Sequence, residues 1–350
     1  MSAVSPNVTP ARITPAKAMP ISVATLLVLL VAYGILPVIG TSYLFDGILL
    51  PFLALSLAGV GLNLLTGYAG QVSLGSAAFM AVGAFACFNF DLRAGSLPLI
   101  VSILLAGLSA AAIGIVFGLP SLRLRGFYLA VSTLAAQFFV QWALTKFSWF
   151  SNDSASGVID APPLTLAGFT FEGPVGRYYF ALIIVTLVTF LAHRLVISQT
   201  GRNFIAVRDN ETAARIIGVP VLRTKLLAFA VSSFIIGIAG VLWAFAYLRT
   251  VEPAGFNLDR SFQVLFIIIG GLASLRGAFF GAALIVVFPV VLSRVGAFVF
   301  GDLFDSGVLD MTQRIVLGAL IILFLILEPD GLAALIDRIR KRFGVPVWPA

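Results

Sequence analysis

Residues 47–90 read GILLPFLALSLAGVGLNLLTGYAGQVSLGSAAFMAVGAFACFNF, and none of these 44 residues is Asp, Glu, Lys or Arg. A second charge-free run follows from Ala94 to Leu122. Apolar stretches of about 20 residues match the hydrocarbon thickness of a bilayer, and these runs hold one or two such lengths each. The rest of the chain agrees. Of its 350 residues, 60% are apolar and 11% charged, with a mean hydropathy of +1.08. Soluble domains carry about 25% charged residues, so this surface is built for lipid. That composition excludes a cytosolic enzyme, a nucleic-acid binder and a disulfide-stapled secreted domain. The single cysteine, Cys87, excludes an intramolecular disulfide and a thiolate metal cluster.

The fold class is therefore an all-α polytopic membrane protein. Strict polar–apolar alternation is absent, so the backbone is satisfied within helices and not in a barrel. Charges, prolines and glycine-rich turns mark about ten transmembrane helices, at 21–39, 44–65, 76–90, 98–117, 127–146, 178–197, 224–247, 261–275, 277–294 and 311–327. Residues 21–39 read as a retained first helix and not a cleaved signal, because no small-residue cleavage site follows. With the N-terminus in the cytoplasm, fifteen of the 22 Lys and Arg residues fall inside and seven outside. The positive-inside rule then puts both termini in the cytoplasm. Residues 1–20 read as a disordered cytoplasmic tail, and 331–350 as a cytoplasmic C-terminal tail.

No carboxylate lies in the interior of any of these spans, so ion coupling has no obvious carrier. There is no phosphate-binding G-x-x-x-x-G-K-[ST], no H-E-x-x-H, and one histidine, His193, at a span boundary. Enzymatic readings lack their residues. The informative features are two. In GLNLLTGYAGQVSLG (61–75) an apolar helix enters a glycine-rich polar stretch and resumes as SAAFMAVGAFA. A helix broken at membrane depth exposes backbone groups to a small polar solute. Asn63, Gln71 and Ser73 would add neutral hydrogen bonds there, with Gln137 in a later span. An ordinary loop between two helices is the alternative. Residues 70–82 match 271–283 at Gly70/Gly271, Ser73/Ser274, Leu74/Leu275, Ala77/Ala278, Phe79/Phe280 and Ala81/Ala282, a possible internal repeat or a coincidence of common membrane residues.

The other feature is the long polar loop SQTGRNFIAVRDNETAARIIGVPVLRTK (198–225). Asp209 and Asn210 are helix-capping types, Glu211 suits the first turn, Gly218 the C-terminal cap, and Pro220 prevents continuation. Ala206, Asn210, Ala213 or Ala214, and Ile217 recur at helical spacing as a narrow small-residue face. Such a face suits a groove on another protein; a solvated loop helix is the alternative.

Five segments resemble one family: 61–75; LPSLRLRGFYLAVSTLA (119–135); GRNFIAVRDNETAARIIGV (201–219); GGLASLRG (270–277); and EPDGLAAL (328–335). They are similar to the LivM-type permeases of branched-chain amino-acid ABC importers, within a larger group that also carries urea, amides and sugars. The resemblance implies a permease domain over 21–330 with a coupling loop at 198–223. It also implies a second permease subunit in a heterodimer, two cytoplasmic ABC ATPase subunits, and a periplasmic or extracellular solute-binding protein. No cofactor is expected on this chain, since the partners hydrolyse ATP, and no nucleic acid. Gly201, Ala206, Arg208, Asn210, Glu211, Ala214 and Gly218 fall on the family's ATPase-coupling segment. The chain departs from the family at Ser76, at Phe85 and in SNDSASGVIDAPP (151–163), which weakens the assignment of leucine, isoleucine or valine more than the architecture. A stand-alone secondary carrier is the rival of a different class.

Overall fold

A computed structural model describes residues 23–94, 97–122, 126–154, 157–166, 168–300 and 331–342, with scattered positions between 311 and 326. The chain divides into two compact units, residues 1–40 and 41–350. In the first, residues 23–39 form one apolar helix, α1, with a π-helical turn at Val31–Ile35.

The second unit is a helical bundle. Its elements are α2 (Ser42–Tyr68), α3 (Ser76–Arg93), α4 (Leu99–Gly118), α5 (Phe127–Lys146), α6 (Gly173–Ile197), α7 (Gln199–Asp209), α8 (Glu211–Ile216), α9 (Val221–Leu248), α10 (Leu258–Phe266), α11 (Leu275–Phe300) and α12 (Gly331–Arg342). Two antiparallel ribbons, Ile159–Asp160 with Thr250–Val251 and Thr165–Leu166 with Phe169–Thr170, tie down the long connections. Among the described residues six helices are long and apolar enough to cross a bilayer: α2, α4, α5, α6, α9 and Leu275–Arg294 of α11. The protein is thus a multi-pass helical membrane protein.

Five of the ten expected spans correspond to these helices to within a few residues, and 277–294 lies inside α11. The expected span at 76–90 is α3, an 18-residue helix whose far end carries Asp91 and Arg93. The expected span at 261–275 takes a different form. Here α10 and a 3₁₀ turn, Ile267–Gly270, stop at Gly271, and a new helix begins at Leu275. At 1.5 Å per residue that element is about 20 Å long, short of the ~30 Å hydrocarbon core. Hydropathy registers the apolar stretch and misses the break. The expected span 311–327 lies largely outside the described residues.

Helices α2 and α9 are the centre. Most of their apolar length is buried inside the chain, whereas 39% or less is buried in α4, α5, α6 and α11. Outer helices present Leu104, Leu108, Phe138, Phe139, Leu187 and Leu191 outward, as lipid requires. Helix α9 packs on α4, α3 and α2 through small residues. A Cβ on Gly83 would lie 2.1 Å from the Gly237 carbonyl oxygen, and one on Gly240 would lie 2.0 Å from that of Met80. Without a hydrophobic drive between helices in lipid, this backbone-to-backbone approach supplies the packing energy. At the opposite end Arg177 donates to the Asp46 carboxylate and to the Ala246 carbonyl, both at 2.9 Å, joining α6 to α2 and α9.

Gly240→Val has no flexible neighbour to yield. We expect it to cost at least about 3 kcal/mol and to lower the detergent-solubilised melting temperature sharply, while Gly34→Val, with nothing within 4 Å, leaves it unchanged.

Candidate functional site

The polar loop folds as its residues dictate. The Ser198 hydroxyl accepts from the Thr200 N–H and starts α7. Asn210 is extended (φ −161°), so α7 stops at Asp209; its side-chain oxygen accepts from the Thr212 and Ala213 N–H groups at 2.9 and 3.0 Å. Glu211 sits in the first turn of α8, where the helix dipole favours an anion. Gly218 (φ +87°) closes α8 in the left-handed conformation, with the Val219 N–H returned to the Ala214 carbonyl.

The periodic small-residue face differs. Asn210 divides it between two helices; Ala206 and Ala214 turn inward while Ala213 stays exposed. Ala214 is buried beside Val207 and Val221, with Ala206 packed against them. The residues that project instead are Ile216 and Ile217, 80% and 73% exposed. Gly201 is buried at the bend from α6, where a Cβ would lie 2.0 Å from the Val196 carbonyl oxygen.

This loop is fastened to the end of α2. Arg208 reaches across Gly70, to within 2.7 Å of where a Cβ would sit, and donates to the Gly67 carbonyl at 2.9 Å. Its other arm pairs with Asp209. Glu211 pairs with Lys225 at the start of α9; both side chains are mostly buried. Gln71 donates to the Lys225 carbonyl, at 3.4 Å. A polar cleft of about 220 Å³ lies here, lined by Gly70, Gln71, Arg208, Asn210, Glu211 and Lys225 among others.

Helix α2 ends at Tyr68, and the chain returns through residues 69–75 before α3 begins. Asn63, Gln71, Ser73 and Gln137 are all buried. Asn63 donates to the Gly271 and Ser274 carbonyls at 2.9 and 2.8 Å and accepts from the Ala273 N–H at 2.9 Å. Its amide is spent on the second break. Gln137 accepts from the Ala78 N–H and the Ser261 hydroxyl and donates to the Phe256 carbonyl. Ser73 accepts from the Gly75 N–H. Of these four, Gln71 alone keeps a buried oxygen without a partner. Thr133 and Ser261 were missed in the sequence: Thr133 accepts from the Leu74 N–H and Ser261 from the Ala77 N–H. No local motif marks them, because their partners lie 59 and 184 residues away.

Residues 44–325 match the family described as the branched-chain amino acid transport system permease component. The chain belongs to that family. It is a membrane permease-family protein and not an enzyme. It is 32% identical over 303 residues to the high-affinity branched-chain amino acid transport system permease protein LivM of Escherichia coli, covering 78% of this chain. The alignment spans 66% of that relative, just under two thirds of its length. A probable branched-chain amino acid transport permease protein LivM of Methanocaldococcus jannaschii is 26% identical over 67% of this chain and 68% of its own. The L-arabinose transport system permease protein AraH of E. coli is 28% identical over 61% of this chain and 66% of its own. No solved structure matches the chain.

Two outcomes follow from these contacts. Asn210→Ala removes the cap of α8, at about 1 kcal/mol, and hydrogen exchange over 211–218 should accelerate several-fold while the spans stay protected. Asn63→Leu, near in size, strands two carbonyls and one N–H; we expect a loss of about 2 kcal/mol, read as a lower melting temperature.

Proposed function

We propose that this chain is a permease subunit of an ATP-driven importer in a bacterial inner membrane, forming part of the path for branched-chain or closely related amino acids. The observation that carries the reading is the fastening of a polar loop with an exposed apolar tip to the end of α2, where the chain turns through residues 69–75 into α3. A loop helix that only met solvent would have no use for Ile216 and Ile217 on its surface, nor for a guanidinium clasp on Gly67. The names of the enteric and archaeal relatives support the substrate class. The arabinose relative makes another small polar solute, such as a sugar, urea or a short amide, the second reading.

In this proposal two ABC ATPase subunits dock on the loops at 198–223, a second permease completes the pore, and a solute-binding protein delivers the cargo. Ile216 and Ile217 enter the ATPase groove. Gly201, Ala206 and Ala214 seat the loop on its own bundle, Asn210 and Gly218 shape α8, and Glu211 holds α8 to α9 through Lys225. Arg208 transmits its motion to Gly67. Nucleotide binding shifts the balance between two packings of the breaks, which switches access to the path. Gln71 and Ser73 face solute most directly, while Asn63 and Gln137 hold the breaks. Both termini lie in the cytoplasm, residues 1–20 and 331–350 as tails around a permease domain over 21–330. About ten membrane elements, two of them broken in matching places, make up the repeat. Breaks at 69–75 and 271–274, one after Tyr68 and one after Gly270, support it.

Arg208→Glu reverses the clasp, and deletion of residues 211–218 removes the tip. Either should abolish ATP-dependent uptake and solute-stimulated ATP hydrolysis in reconstituted vesicles, with the chain still inserted. Wild-type uptake in both variants, or ATP-independent uptake by the purified chain alone, overturns the proposal and favours a solitary carrier.

A further inference from the structure

The start of α10 and the end of α9 enclose a charged group that the coupling and pathway residues above do not use. Arg260 lies in the first turn of α10, whose N-terminus is capped by the Asn257 side chain. Its guanidinium carbon sits 3.8 Å from the centroid of the Trp243 ring, and Trp243 packs on Tyr247 at 4.6 Å between ring centroids. Both aromatics stand on the π-helical segment Leu242–Leu248, a wide turn of the kind that recurs at functional sites. Arg260 Nη1 donates to the neutral Gln263 amide oxygen.

Two donors in this stack have no acceptor. Trp243 is 2% exposed and its indole N–H has no partner; Arg260 Nε is likewise buried and without one. Buried donors are otherwise paired almost everywhere in proteins, and most strictly inside a bilayer. An arginine held partly out of water against a ring face and an amide, with Asp259 beside it in the chain, is the kind of charged group that marks a solute or ion path in a membrane protein. Gln263 engages one arm of the fork, and this leaves the Nε/Nη2 edge, the one that meets a carboxylate with two parallel hydrogen bonds. The indole N–H adds a third donor, and the ring faces supply an apolar wall. One residue further along α10, Ser261 accepts from the Ala77 N–H, so the stack lies where α10 meets the start of α3.

We propose that Arg260 and Trp243 form a carboxylate-binding subsite on the solute path, which takes the α-carboxylate of the transported amino acid. This rests on the amino-acid importer reading above. The three donors are neutral or cationic and select an anion over an ammonium, with Asp259, exposed beside Arg260, the acidic group that offsets part of the guanidinium charge. The subsite orients the solute and transfers no proton.

The test uses the full chain, purified in nanodiscs with the subunits that accompany it, free of nucleotide and binding protein. Equilibrium dialysis measures labelled L-leucine and labelled isovalerate, which keeps the carboxylate and lacks the amine. Isovalerate should displace leucine, and isoamylamine, which lacks the carboxylate, should not. Arg260→Lys, which keeps the charge, should weaken both probes at least tenfold. Trp243→Phe, which keeps the ring and loses the donor, should weaken them three- to tenfold. Wild-type affinity in both variants overturns the subsite, as does displacement by isoamylamine equal to that by isovalerate, or no binding of either probe. Isovalerate binding that depends on Arg260, without leucine binding, upholds the subsite and sinks the amino-acid reading. Leucine uptake at wild-type rates by Arg260→Lys does the reverse.

Discussion

A helix end enclosed in an apolar bundle leaves N–H and C=O groups that apolar neighbours cannot satisfy, and the architecture of this permease-family chain follows from how those groups are paired. Asn63, on α2, supplies three hydrogen bonds to the break at 271–274. Thr133, Gln137 and Ser261, from α5 and α10, receive the backbone N–H groups of Leu74, Ala78 and Ala77 around the other break. Each break is therefore completed by helices distant in sequence. A helix end with its partners elsewhere cannot be stable until the bundle has formed, which makes the breaks a property of the assembled fold.

The same economy joins the polar loop to the end of α2. Gly67 is touched from both sides: its carbonyl accepts from Arg208, and a Cβ there would lie 2.0 Å from the Asn63 side-chain oxygen and 2.4 Å from the Ala273 backbone nitrogen. One residue thus lies between the loop clasp and the latch on the second break. These contacts are side chain to backbone and run without an intervening flexible linker. The apolar sequence around these groups carries no deep carboxylate, and neutral amides do the holding.

Charge is sparse and placed where it is paired or wet. Arg177 meets Asp46 at one end of the bundle, and Glu211 meets Lys225 beside the polar loop. Among the described residues Arg260 differs in keeping a buried donor to spare, beside a ring and an amide.

Composition and charge spacing by themselves determined the class of the molecule: long uncharged runs must be helices in a membrane. The local chemistry of the polar loop was equally readable. Asn210, Glu211, Gly218 and Pro220 act within a few residues of their own positions, and α8 begins and ends where they dictate. Tertiary structure alone decided the rest. Asn63 and Gln137 are plausible solute contacts as isolated amides, and only the positions of Gly271, Ala273, Phe256 and Ala78 show that their hydrogen bonds are spent. The inward turn of Ala214 and the outward turn of Ile216 and Ile217 depend on an extended residue at Asn210, which spacing counted along one helix cannot register. Hydrogen bonds in a low-dielectric interior pair whatever groups the packing brings together, and sequence separations of up to 211 residues leave no local trace of that choice.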